Sequence, residues 1–208
     1  MKTYSDACAV ARALDLVGDR WALLIVRELM LGPKRFGALT DGLRAAGPDM
    51  VAKRLRELTD HGIVVRRSLG APANVDVYAL SQRGLALRPV LRELGRWGAT
   101  ADLPPDHLGL TDDAFLLAFD VVFEGHRDTD LELTVEFRLP GGPAAARVAQ
   151  GGIEVGWGAA AAPDLVLEGD PDDLGSVLWD AADPDVTGVQ VIGDRPLLNR
   201  FRAMTLVG

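Results

Sequence analysis

The residues of this 208-residue chain whose types and spacing could do chemistry together are basic. Lys53, Arg54 and Arg56 fall in a stretch, Pro48 to about His61, where Val51, Leu55 and Leu58 recur at helical spacing. On such a helix Asp49, Lys53 and Arg56 lie opposite the apolar stripe, with Met50, Ala52, Arg54 and Glu57 on the flanks. The chemistry open to that face is pairing with nucleic-acid phosphates, while Pro48, Asp49 and Met50 at the helix start are placed near base edges. Arg66 and Arg67 add a grip on backbone or minor groove, and Lys34 and Arg35 add phosphate contacts. Taken alone, the helix also reads as an ordinary solvated face, with Arg54 paired to Glu57 or Asp60.

Other chemistries lack their residues. His61, His107 and His126 have no metal-like spacing with one another or with Cys8, so no metal is expected. No Gly-rich phosphate loop precedes a helix and no Gly-x-Ser-x-Gly elbow occurs, so neither a cofactor nor catalysis is expected. Asp170, Asp172 and Asp173 read as the solvated start of a helix. A single cysteine, Cys8, rules out an intrachain disulfide and suits a reducing cytoplasm. The apolar run Trp21 to Val26 is too short to span a bilayer, and no secretory pattern opens the chain.

The net charge of −8 argues against nucleic acid until it is divided. Residues 1–103 hold 16 Lys/Arg and 11 Asp/Glu, a net +5, whereas residues 104–208 hold 6 and 19, a net −13. Segregated sign is what a basic nucleic-acid module joined to an acidic domain produces. The proline-bearing segment Thr100 to His107 predicts the boundary, giving domains 1–102 and 103–208.

The first domain reads as helices over Cys8–Val17, Arg20–Leu31 (with Asp19 as cap), Phe36–Leu43 and Pro48–His61. Two short strands, Ile63–Ser68 and Val75–Leu80, flank the turn-rich Leu69 to Asn74, and one helix follows from Gln82 to Trp97. A short helix, a loop, a basic amphipathic helix and a two-stranded ribbon make a mostly α, winged helix-turn-helix domain. Cys8-Ala9-Val10-Ala11-Arg12-Ala13-Leu14-Asp15-Leu16-Val17-Gly18-Asp19-Arg20-Trp21, Lys34-Arg35-Phe36-Gly37-Ala38-Leu39, Lys53-Arg54-Leu55-Arg56-Glu57-Leu58 and Tyr78-Ala79-Leu80-Ser81-Gln82-Arg83-Gly84 resemble the HxlR-type regulators over residues 6–98. The resemblance implies a homodimeric repressor or activator paired through its first and last helices. It also places Cys8 where some relatives carry an oxidant-sensing or electrophile-sensing thiol. Gly47 stands where the family often has a capping Ser, a weaker cap.

The second domain reads as α+β, an antiparallel-rich sheet with helices on one face. Leu110–Phe123 is helical, Leu131–Leu139 alternates as a half-buried strand, and Ala144–Gln150, Ile153–Trp157 and Asp164–Glu168 follow as strands. A helix over Pro171–Ala181, a strand over Val186–Ile192 and a helix over Pro196–Leu206 complete it. The run from Pro163 to Leu174, with Val189 to Asp194, resembles the later part of sterol-carrier-protein-like domains. That resemblance implies a tunnel for a lipid or other apolar molecule. Phe115, Phe119, Phe123, Phe137, Trp157, Leu178, Trp179 and Phe201 are its candidate lining, and each serves equally well as core.

The expected function is a cytoplasmic, dimeric, sequence-specific regulator that binds double-stranded DNA and answers to an apolar effector. The alternative is a lipid carrier whose winged helix only dimerises.

Overall fold

The computed structural model describes residues 3–70, 75–103 and 106–205. The chain divides into two compact units, Met1–Leu91 and Arg92–Gly208.

The first unit holds α1 (Ala9–Val17), α2 (Ala22–Glu28), α3 (Phe36–Gly42), α4 (Pro48–Asp60), β1 (Val64–Leu69), β2 (Val75–Leu80) and α5 (Gln82–Leu85), and α6 (Arg88–Gly98) carries the division. Its core is the apolar stripe of each helix turned inward: Ile25, Val26 and Leu29 meet Leu39, Val51, Leu55 and Leu58, closed by Ile63 and Leu80. Burying side chains of this size stabilises by roughly 1.5–3 kcal/mol each. Pro48 occupies the first turn of α4, where its missing N–H costs nothing. Gly62, at φ +67°, ends that helix in a conformation other residues resist. The strands β1 and β2 pair antiparallel from Val64 opposite Leu80 to Leu69 opposite Val75. Of the predicted turn, Ala71 to Asn74 lie outside the described residues.

Three expectations change here. Asp19 does not cap α2: the helix starts at Ala22, after Trp21 in the left-handed region at φ +77°, and it ends at Glu28 rather than Leu31. The Asp19 side chain turns to Arg54 instead. The single helix expected over Gln82–Trp97 is two, broken at Ala86 and Leu87. Pro89 is the reason, since its ring would strike the Leu85 carbonyl in a continuous helix, and in the first turn of α6 it strikes nothing.

The second unit holds α7 (Asp112–Val122), a 3-10 turn (Gly125–Arg127), β3 (Leu133–Leu139), β4 (Gly142–Ala149), β5 (Gly152–Trp157), β6 (Leu165–Glu168), α8 (Pro171–Trp179), α9 (Pro184–Thr187), β7 (Gln190–Gly193) and α10 (Arg195–Ala203). The five strands run in the order β5-β4-β3-β6-β7, with only β3 and β6 parallel. Leu133, Val135, Phe137 and Leu139 are buried at alternate positions of β3, as the sequence pattern requires. The strand expected from Val186 starts only at Gln190. Asp183 accepts from the Asp185 N–H at 3.0 Å, and with Pro184 at the first helical position it turns Val186 and Thr187 into α9. Pro104, Pro105 and Leu206, parts of the predicted linker and last helix, lie outside the described residues.

Candidate nucleic-acid interface

The two faces of α4 are chemically distinct. Val51, Arg54, Leu55 and Leu58 are buried, while Pro48, Asp49, Met50, Lys53 and Arg56 are exposed. Lys53 and Arg56 make no ion pair or side-chain hydrogen bond among the described residues, so both cations are available to phosphate. Arg54, two positions from Arg56 and next to Lys53, is 9 % exposed, and its Nη1 donates to both Asp19 and Glu57.

Around α4 the remaining basic residues divide in the same way. Arg35 stands exposed and unpartnered at the start of α3, and Arg67 is exposed and unpartnered on β1. Arg66 spans the ribbon to Asp76 at 2.5 Å, and that hydrogen bond holds its guanidinium above its ordinary pKa. Both partners are largely exposed, so a phosphate can replace the carboxylate at little cost. Lys34 is committed elsewhere: its Nζ donates to Glu28 at 2.7 Å, and its backbone exchanges two hydrogen bonds with Tyr78 of β2. The structure therefore brings Lys53, Arg56 and the α4 start together on one exposed helix face and assigns Lys34 and Arg54 to internal ion pairs. Sequence reasoning missed Asp19 and Glu28. An acid within the apolar run Ala22-Leu23-Leu24-Ile25-Val26-Arg27-Glu28 was the available signal for the second.

Cys8 is exposed and immediately precedes α1. The N–H groups of Ala11 and then Val10 hydrogen-bond its sulfur and lower the thiol's pKa below its ordinary value.

Of the residues expected to line an apolar site, Phe115, Phe119, Phe137, Leu178 and Phe201 are fully buried. Their rings fill space against one another, with centroids 5.2 Å apart for Phe115 and Phe137 and 5.8 Å for Phe119 and Phe201. Trp179 stacks at 5.6 Å from Phe115, and its Nε1 is buried without an acceptor. Phe123 is half-buried at the end of α7. Trp157 is 39 % exposed on edge strand β5 and donates to Asp113 at 2.7 Å. A half-open cleft of about 530 Å³ lies instead in the first unit, with Tyr4, Leu14, Asp15, Lys53 and Arg54 among its walls.

Among the described residues no group of three or more His, Cys, Asp or Glu is placed to hold a metal. No described helix is long and apolar enough to cross a membrane.

Residues 16–104 match the profile of the HxlR-like helix-turn-helix family. The HTH-type transcriptional regulator YodB of Bacillus subtilis is 39% identical over 85 residues, which are 41% of this chain and 76% of YodB. The chain belongs to the HxlR-like helix-turn-helix family. A second relative, the HTH-type regulator sll1512 of Synechocystis, is 34% identical over 93 residues, 44% of this chain and 68% of that one. Among solved structures, the reduced form of B. subtilis YodB is 35% identical, covers 49% of this chain and all of its own, and superposes with a TM-score of 0.42. In HxlR-like terms α3 and α4 are the helix-turn-helix and β1–β2 the wing, and the family match stops at residue 104, before most of the second unit.

Proposed function

We propose that this HxlR-like regulator acts as a cytoplasmic homodimer that reads a two-fold symmetric DNA site, α4 entering the major groove of each half-site. The observation that carries the reading is the exposed, unpaired Lys53 and Arg56 on the outer face of α4, beside a buried and paired Arg54. Pro48, Asp49 and Met50 meet base edges, and Arg35, Arg66 and Arg67 hold phosphates on either side. The dimer rests on apolar side chains left in solvent: Val10 and Leu14 on α1, and Val90, Leu94 and Trp97 on α6, where Trp97 is 75 % exposed.

Selection of bound fragments from random-sequence DNA tests this directly. The reading expects a site with two-fold symmetry and half-sites about one helical turn (roughly 34–36 Å) apart. Recovery of no enriched sequence would contradict it and favour a carrier whose winged helix only dimerises.

The residues from 103 onward are assigned to sensing an apolar effector. The support is the resemblance of Pro163 to Asp194 to sterol-carrier domains, together with the unpartnered Trp179 Nε1 beside the aromatic cluster, a donor for one acceptor on an otherwise apolar molecule. A ligand there has to part the Phe115, Phe119 and Phe137 rings. Titration with a fluorescent fatty-acid analogue should saturate and change operator affinity. Saturation without a change in operator affinity would remove the switch, because only differential binding shifts an equilibrium.

A further inference from the structure

We propose that Arg54 is the positioning residue of the recognition helix, latching α4 to the α1–α2 corner through Asp19, and that it does not itself touch DNA. The inference rests on the DNA-binding reading and assigns a role within it.

The corner is built to hold Asp19 still. Gly18 follows α1 where a Cβ would overlap the Leu14 carbonyl oxygen, so only glycine allows the chain to turn so tightly. Three residues on, Trp21 sits at φ +77°, a conformation that costs strain in any residue but glycine. Arg20 lies 5.0 Å over the Trp21 ring, and Ala22 N–H closes the turn on the Asp19 carbonyl at 3.0 Å. A strained, closed corner presents one carboxylate, Asp19, to α4.

From α4 the partner is Arg54. Its side chain is 10 % exposed, against 60 % for Asp19 and 31 % for Glu57. Nη1 bridges the two carboxylates, joining α4 to a residue 35 positions earlier, and Nε is buried with no acceptor. A guanidinium spent in this way is poorly placed for a phosphate, and its neighbours Lys53 and Arg56 are the ones facing outward. The latch sets where those two cations point, because a helix that slides or rolls carries its whole exposed face with it.

Electrostatics and positioning predict opposite signs for one substitution. Asp19→Asn removes a negative charge close to the DNA-facing helix. If Arg54 were a phosphate contact, that change would free it and tighten binding. If Arg54 is a latch, the same change loosens α4 and weakens binding.

The test uses the full chain and a fluorescein-labelled duplex carrying the site recovered by the selection above, with anisotropy measured across salt for wild type, Asp19→Asn, Arg54→Met and the double variant. The latch predicts about ten-fold weaker binding for Asp19→Asn, and no further loss in the double variant beyond Arg54→Met. All salt slopes should stay at the wild-type value. Thermal melting accompanies each variant, and the exposed Asp19 carboxylate keeps Asp19→Asn informative even if Arg54→Met does not fold. Tighter or unchanged binding by Asp19→Asn, or a slope lowered by about 0.9 in Arg54→Met, would overturn the latch. Failure of the wild type to bind would instead overturn the DNA-binding reading beneath it.

Discussion

Glu28 has no exposed side-chain surface and is held between Arg27 Nη2 and Lys34 Nζ, each at 2.7 Å. Lys34 in turn is stitched to Tyr78, so the carboxylate anchors the wing strand β2 to α2. Removing one partner of a buried ion pair leaves the others uncompensated, and Glu28→Gln should lower stability by about 3 kcal/mol. A urea midpoint that falls at constant slope would check this, and an unchanged midpoint would contradict it. Gly42 has no room for a methyl group against the Glu28 carboxylate, so Gly42→Ala should cost about 1–3 kcal/mol by the same measurement. Cys8 gives a pH prediction. Its lowered pKa means that thiolate forms earlier as pH rises, so iodoacetamide should alkylate the folded chain with a midpoint below that of the urea-unfolded chain. Coincident midpoints would contradict the hydrogen bonds from Ala11 and Val10. At this scale the sequence was half legible. Helical spacing separates Val51, Leu55 and Leu58 from Lys53 and Arg56, but it leaves Arg54 on a flank, and only the position of Asp19, brought in from a distant corner, decides that Arg54 turns inward.

The helix α6 buries none of its residues fully, although it carries Val90, Leu94 and Trp97. An amphipathic helix with its apolar stripe in water is costly alone, and pairing with a second copy is the resolution proposed above. Leu94→Glu should therefore convert the dimer to a monomer in sedimentation equilibrium without loss of helical circular dichroism, whereas an unchanged mass would place the dimer elsewhere. The elements were legible wherever period and cap agree. The run Pro48–Asp60 has a proline start and a glycine stop, and β3 alternates strictly, so both emerge near their predicted bounds. They were illegible where one residue outranks the pattern. Pro89 breaks a periodic helix at Ala86, and Asp183 with Pro184 diverts the β-branched Val186 and Thr187 into a helical turn.

For the whole molecule the decisive quantity is the uneven charge, +5 over residues 1–103 and −13 over the remainder. A net charge of −8 would suggest repulsion from DNA, yet short-range pairing is governed by the cations on the reading face, since salt screens charges more than about 8 Å away at physiological ionic strength. The sequence revealed this division because sign is additive along the chain. It did not reveal how the candidate ligand residues of the second unit pack, because Phe115 and Phe137 are distant in sequence and meet only in the fold. The most direct test of the account is fluorescence anisotropy of the selected duplex across salt concentrations, comparing wild type with Lys53→Ala/Arg56→Ala. Tight wild-type binding is predicted, with a log–log salt slope about 1.8 steeper than that of the double variant, as two lost phosphate contacts require. Equal affinity and equal slope for the two proteins would contradict the assignment of α4 as the DNA-reading element.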